Sequence, residues 1–410
     1  MQICICRVRV KEWIKISDLL FFQEGPGVRN TQYTQSGVKL LNVANLVNGK
    51  VDLSTSDRYI SEDEAYGRYK HFLCDDGDFI IASSGIKVEY FDRKMGFVDS
   101  SMLPLCMNTS TIRFKVIDSK RLNIKYFMYY LKSIRFKQQL SKFITGSAQL
   151  NFGPSHLKKM NMPLVSLKEQ NDIVEKLSKV ELLLDKYNGE IKLLDELIKA
   201  RFVEMFGRPT DKITRYPKVK IGNLIKEGKA SIKAGPFGSS LKKEFYVKKG
   251  FKIYGQEQVI KNDPTFGDYY INEDRFNSLK SCEVHAGDIL ISLVGTCGKT
   301  MIMPENFEPG IINPRLLKIA FDAEFIIPIY FKYFFGSDDL QKILNSASGH
   351  STMNVVNAGM LKNVELIMAP IELQNQFASF VEEVDKSRLR ELLAIKQIKL
   401  LLHDSWFLFY

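Results

Sequence analysis

The feature that most constrains this 410-residue chain is that it repeats itself once. Residues 146–170 read GSAQLNFGPSHLKKMNMPLVSLKEQ and residues 349–374 read GHSTMNVVNAGMLKNVELIMAPIELQ. Leu157-Lys158 falls on Leu361-Lys362, an offset of 361 − 157 = 204, and Gln170 meets Gln374 at the same offset, as Phe202 meets Trp406. The front halves echo more loosely: Trp13–Leu20 resembles Pro217–Ile225 with one gap, and Gly77–Ile81 resembles Gly287–Ile291 at an offset of 287 − 77 = 210. The drift implies small insertions in the second copy. A period of this length is too long for a solenoid and reads as a duplicated domain plus connector. Two like units on one chain can mimic a dimer with an approximate twofold axis.

The better-matched tails read as long helices. Ile173, Leu177, Val180, Leu184, Tyr187, Ile191, Leu194 and Ile198 are spaced alternately by four and three, which lays one apolar stripe along a helix over Leu167–Phe206. No proline interrupts it, Gly189 is its one weak point, and Gly207 followed by Pro209 stops it. About 38 helical residues would span roughly 55–60 Å. The second tail begins after Pro370, where Phe377, Val381 and Val384 carry the stripe and Ile395, Ile398 and Leu402 resume it. Arg388 and Glu391 fall between, where apolar residues belong, and a shift of the stripe onto Leu389 and Leu392 would bridge the break. Two such helices in one chain predict an antiparallel coiled coil; the other arrangement is two amphipathic helices packing separately on their own domains.

Each front reads as an α/β unit with a curved mixed sheet. Strands are expected at 38–47, 78–82, 251–260 and 287–294, helices at 124–143 and 329–344, and a short strand at Met1–Val10. Glycine-rich polar loops recur at matching places: 24–32, 83–87 and 145–147 in the first copy, 234–243, 295–299 and 348–351 in the second. Glycine lets backbone amides approach phosphate, and basic or amide side chains beside it can read base edges. The candidate contacts are Arg29, Asn30, Gln32, Ser84, Lys87, Ser147 and Gln149, with Ser239, Ser240, Lys242, Thr296, Lys299, His350 and Ser351. Such loops are also ordinary turns.

Composition narrows the classes. Lys and Arg number 58 against 47 Asp and Glu, a net charge of +11 that suits a polyanionic partner. Apolar residues at 45% leave no compositional case for disorder. The six cysteines form no CxxC pair and no histidine stands at zinc-finger spacing, so no metal site is expected and a reducing, cytoplasmic setting is. No secretory signal and no span of about 20 apolar residues is visible. Gly298-Lys299-Thr300 ends like a P-loop, but the required first glycine is Leu293. Asp263-Pro264-Thr265-Phe266 resembles the active-site tetrapeptide of amino-methyltransferases, yet lacks its second proline and an upstream cofactor loop, and reads as a turn. No catalytic set assembles from the histidines, serines and carboxylates.

Taken together, the duplicated tails resemble the specificity subunit of type I DNA restriction–modification systems. The resemblance rests on Gly146–Gln149 with Leu157-Lys158, Pro163, Leu167 and Gln170, on Ile198–Gly207 echoed by Leu402–Tyr410, and on the strands Lys39–Leu46 and Asp78–Gly85. It implies two target-recognition domains (1–165 and 209–369), each reading half of a split site in double-stranded DNA. It also implies two long spacer helices (166–208 and 370–410) fixing the gap between the half-sites, in a pseudo-twofold arrangement. By the same resemblance the chain holds no cofactor, and S-adenosylmethionine belongs to two partner methyltransferase subunits. Motor–nuclease restriction subunits complete the complex, and methyl transfer happens on a flipped adenine in the partner. Two other readings stay open on the residues alone: a modification enzyme with its own recognition domains, and a coiled-coil interaction protein that does not bind DNA.

Overall fold

A computed structural model describes residues 12–142, 150–293, 298–347 and 357–405. The chain forms two compact units, one of residues up to Lys186 together with those from Ala394 onward, the other of Tyr187–Leu393.

In the first unit, strands Leu20–Glu24, Thr111–Val116, Phe79–Ala82 and Met95–Phe97 lie side by side in that order as an antiparallel sheet. Phe79, Ile80, Ile81 and Ala82 are all fully buried, which explains their unbroken apolar run: this strand is covered on both faces. A second sheet has the order Leu105–Met107, Val38–Leu41, Tyr59–Ile60, with the first pair parallel and the second antiparallel. Strand Glu12–Lys15 pairs with Asn161–Leu164 just ahead of the long helix Leu167–Phe206.

The second unit repeats this plan. Its four-stranded sheet runs Ala230–Ala234, Leu316–Phe321, Ile289–Ser292, Thr300–Ile302, and its three-stranded sheet joins Tyr270–Ile271, Phe251–Tyr254 and Gly310–Ile312. Strand Lys218–Lys220 pairs with Glu365–Ile367 ahead of the helix Ile371–Ser405. Successive residues of a strand face opposite ways, and the central strand shows it. Ile289 and Ile291 pack with Tyr330, Phe331 and Phe334 of helix Pro328–Phe335, while Leu290 packs with Ile253, Tyr254 and Ile311 of the smaller sheet. The unit is three layers: helices, large sheet, small sheet.

The offset between the copies locates the insertions. It is 289 − 79 = 210 at the central strands and falls to 300 − 95 = 205 at the next ones. The second copy is longer ahead of its central strand. The first copy is longer after it, in the segment carrying strand Ser84–Ile86 and a 3-10 turn at Val88–Arg93.

Side-chain hydrogen bonds tie each domain to its helix in the same way twice. Fully buried Gln170 donates through Nε2 to the Arg121 and Val165 carbonyls and accepts the Asn123 amide. Gln374 does the same with the Phe325 and Ala369 carbonyls and the Ile327 amide. Tyr126 donates to the Pro163 carbonyl and Tyr330 to the Ile367 carbonyl, and burial pushes both phenols above their usual range, so they act as neutral donors. Inside each sheet sits a buried ion pair, Asp78–Arg113 in one and Asp288–Lys318 in the other.

The helix Leu167–Phe206 has the expected bounds. Ser166 and Glu169 form a reciprocal capping box at its start, and Gly207 leaves it in the left-handed region at φ +82°. The heptad stripe is its inner face: Ile173, Leu177, Val180 and Ile198 are buried, Leu184, Tyr187, Ile191 and Leu194 half-buried, and off-stripe Leu182 and Leu193 exposed. In the second unit the two long helices run antiparallel: Phe202 and Phe206 pack on Phe377, and Asp195 pairs with Arg388. Phe377, Val381, Val384 and Ile395 are buried and Ile398 half-buried; the side chain of Leu402 lies outside the described residues.

Five expectations need correction. The stripe does not shift at its break, for Leu389 and Leu392 are exposed and Arg388 stays in the seam. The segment 251–260 is strand only to Tyr254 and then a helical turn, Gln256–Lys261, because Gln258 Oε1 accepts the Gly255 amide and caps it; the segment 38–47 is likewise strand only to Leu41, where Asn45 Oδ1 accepts the Asn42 amide and a 3-10 turn at Val43–Asn45 precedes a short strand at Leu46–Val47. Neither 124–143 nor 329–344 is one helix. Ser133 and Ser337 accept the amides of Phe136 and Leu340 and start second helices at Ile134 and Asp338. The expected strand at Met1–Val10 lies outside the described residues. Among the described residues no helix is long and apolar enough to cross a membrane.

Candidate nucleic-acid interface

Each domain builds the same loop corner from a Gly-Pro pair. A Cβ on Gly25 would stand 2.1 Å from the Asn108 carbonyl oxygen, and one on Gly235 1.9 Å from that of Asn313. Only glycine lets these two backbone segments touch, so each loop is held against the residues that lead into the long strand of the large sheet. Beside this corner stands a tyrosine at equivalent positions, Tyr33 and Tyr246, each four residues before a glycine with positive φ (Gly37 and Gly250). In the first unit Arg58 covers Tyr33 at 5.3 Å from the ring centre, and Asn108 Nδ2 donates to Asn42 Oδ1 at 2.8 Å. In the second, Tyr269 lies 5.6 Å from Tyr246, and the two rings line a cavity of about 640 Å³ with Lys243, Gln256, Asn313 and Arg315. Aromatic faces with cations and amides beside them suit bases and phosphates.

Arg29 and Asn30 are exposed on the first corner loop. Gln32 is not: its amide donates to Glu64 at 2.6 Å and to Tyr69 at 3.1 Å and accepts the Arg29 amide, so it braces the loop. On the matching loop Ser239 and Lys242 are exposed, Ser240 half-buried, and Lys242 is 3.6 Å from Glu244.

A second cluster belongs to the extra segment of the first copy. Lys87 lines a cavity of about 380 Å³ with Asn48, Gly85, Tyr90, Arg93 and Lys94, and Arg93 lies 4.9 Å over the exposed ring of Tyr90. Ser84 is half-buried on the strand that pairs with Leu150–Asn151. Lys299 is exposed and lines a cleft of about 840 Å³ in the second unit, with Lys199, Arg208, Lys332 and Lys342 among its cations. Burial lowers the Lys332 ammonium from its usual range, although Asp385 opposes the shift. Ser147, Gln149, Thr296, His350 and Ser351 lie outside the described residues.

The predicted candidates thus fall on four places, two in each unit, rather than one. Sequence reasoning missed Tyr33, Arg58, Tyr90, Arg93, Tyr246 and Tyr269, because a tyrosine beside a strand looks like core. The repeated spacing Tyr33–Gly37 and Tyr246–Gly250 was the available signal. The tetrapeptide at Asp263 is a turn: Thr265 donates to Asp263 Oδ1 from its amide and hydroxyl, which lowers the carboxyl's pKa. Among the described residues no His, Cys, Asp and Glu group is arranged to hold a metal ion.

A three-layer recognition-type domain made twice on one chain, with the same glycine-tight corner each time and a long helix after each copy, defines a duplicated DNA-specificity architecture. The chain belongs to the family of type I restriction modification DNA specificity domains, which it matches twice, at residues 11–194 and 226–400. It is similar to the type I restriction enzyme MjaVIII specificity subunit of Methanocaldococcus jannaschii, 25% identical over 226 residues, 54% of this chain. The match spans about half of that relative (47%). Its fold is similar to the crystal structure of the type I restriction–modification S subunit from M. genitalium, with TM-score 0.51, 16% identity and 98% of each chain covered. A chain from a structural study of complex assembly and conformational transition of the type I system gives TM-score 0.56 at 15% identity over 96% of each chain.

Proposed function

We propose that this chain is the non-catalytic DNA-recognition subunit of a type I restriction–modification complex. The observation that carries the reading is the twofold occurrence of one corner, Gly25–Tyr33 and Gly235–Tyr246, inside a family match that is itself double. Each recognition domain (1–165 and 209–369) reads one half of a bipartite site in double-stranded DNA. Arg29, Asn30, Lys87, Ser239, Lys242 and Lys299 are contacts, joined by Tyr33, Arg58, Tyr90, Arg93, Tyr246 and Arg315. The helices of 166–208 and 370–410 fix the spacing, and an unbroken 40-residue helix supports this, being a stiff rod of about 60 Å at ~1.5 Å per residue. Two methyltransferase subunits that hold S-adenosylmethionine dock on the complex and methylate a flipped adenine. Restriction subunits supply translocation and cleavage, and the assembly works in the cytoplasm.

Genome-wide adenine-methylation mapping with and without this gene tests the proposal. The expected result is loss of one bipartite motif with a fixed gap. Methylation of DNA by the purified chain with S-adenosylmethionine alone would overturn it in favour of a modification enzyme.

A further inference from the structure

The contacts between the long helices in the second unit follow one register. Phe206 and Phe202 meet Phe377, Arg201 lies over Phe380, and Asp195 meets Arg388, so numbers fall on one helix as they rise on the other. The seam is apolar at Phe377, Val381 and Val384 and then takes in Arg388, whose guanidinium pairs with Asp195 across the seam and with Asp385 one turn back. The arginine is only 24% exposed, and its Nε has no hydrogen-bond partner. Asp195 is 55% exposed, and an ion pair open to solvent on one side is worth little. Stability is therefore not what the pair supplies. A single polar residue in a helix seam sets register and partner instead.

The internal repeat identifies the competitor. The helices are related by an offset of 204 residues, so a second copy of the chain offers each helix a partner with the same apolar stripe. If two central helices paired in this register, Asp195 would face Leu184 (388 − 204 = 184). If two distal helices paired, Arg388 would face Lys399 (195 + 204 = 399). One match leaves the carboxylate facing a leucine with no cation and the other opposes two cations; only the central–distal pairing gives Asp195 its arginine.

We propose that the Asp195–Arg388 pair is a lock that makes the central helix accept a distal helix and reject a second central helix, holding the chain to its own register. This rests on reading the helices as a spacer, and its test contains no DNA, so the two can fail separately. Two differently tagged full-length copies are co-expressed, one tag is captured, and the other is quantified, alongside thermal melting of each variant. Wild type and Arg388→Lys, which keeps a cation opposite Asp195, should give only background mixed capture. The double variant Asp195→Leu with Arg388→Leu should raise it at least about tenfold with a melting midpoint no lower than wild type, the solvent-open pair contributing little to stability. Mixed capture no higher in the double variant than in wild type overturns the lock. A double variant that melts lower than wild type also overturns it, because the pair would then be serving stability.

Discussion

Replacing Gln170 by alanine probes the joint between the first domain and its helix. The fully buried amide makes three hydrogen bonds, at 2.8 Å to the Arg121 carbonyl, 2.9 Å to the Val165 carbonyl and 2.8 Å from the Asn123 amide. Each is worth about 1 kcal/mol net, and a backbone group left dry costs about 1–3 kcal/mol more. The bonds to Arg121 and Asn123 are only part-buried, so water can replace partners there, whereas the one to Val165 is buried. The expected loss is about 3–4 kcal/mol, which for a unit near 200 residues lowers the melting midpoint by about 10 °C. Gln374→Ala removes the matching bonds of 3.0, 2.9 and 2.9 Å and should cost the same, but in the other unit. With Trp406 replaced by phenylalanine, fluorescence of Trp13 follows the first unit while circular dichroism follows both. Gln170→Ala should move the fluorescence transition and Gln374→Ala should not. Losses below about 1 kcal/mol for both, or a shared shift of both signals, would refute the idea that these glutamines each clamp one domain to one helix.

Arg113→Ala strands the Asp78 carboxylate in the core and should cost about 3 kcal/mol in urea denaturation, a little eased by Lys115 at 3.4 Å; Arg113→Lys should cost less, since Lys318 fills that place in the second copy. Burial pushes the thiols of Cys74 and Cys106 up to about 12, so both should resist Ellman's reagent at pH 8 until denaturant is added. An acid whose folded pKa is raised favours the fold fully below its unfolded value, so this contribution should fade as pH rises from about 9 toward 12, seen as a falling denaturation midpoint. Lys87→Ala with Arg93→Ala should weaken DNA binding of the assembled complex evenly across sequences, and lower the slope of log K against log salt by about 0.9 per lost phosphate contact. An unchanged slope would remove the cluster at Tyr90 from the interface.

The sequence by itself determined the parts whose cause is local or repeated. The long helix could be bounded at Leu167 and Phe206 because a heptad stripe and a terminal Gly207 followed by Pro209 are signals each read within a few residues of chain. The duplication could be found because two copies of one fold keep the same inward-facing residues, down to Gln170 and Gln374. The apolar runs within 78–82 and 287–294 announced strands, though not that both faces are covered. Tertiary structure alone decided what depends on partners distant in sequence. Ser133 and Ser337 split what periodicity joined, because a cap outweighs a continuing stripe. Gln32 turned inward because Glu64 and Tyr69 lie opposite it, and Tyr33 gained a cation over its ring because the fold brings Arg58 beside it. Arg388 stayed in the seam because Asp195, 193 residues away in the chain, gives its charge a counterion that no local pattern encodes.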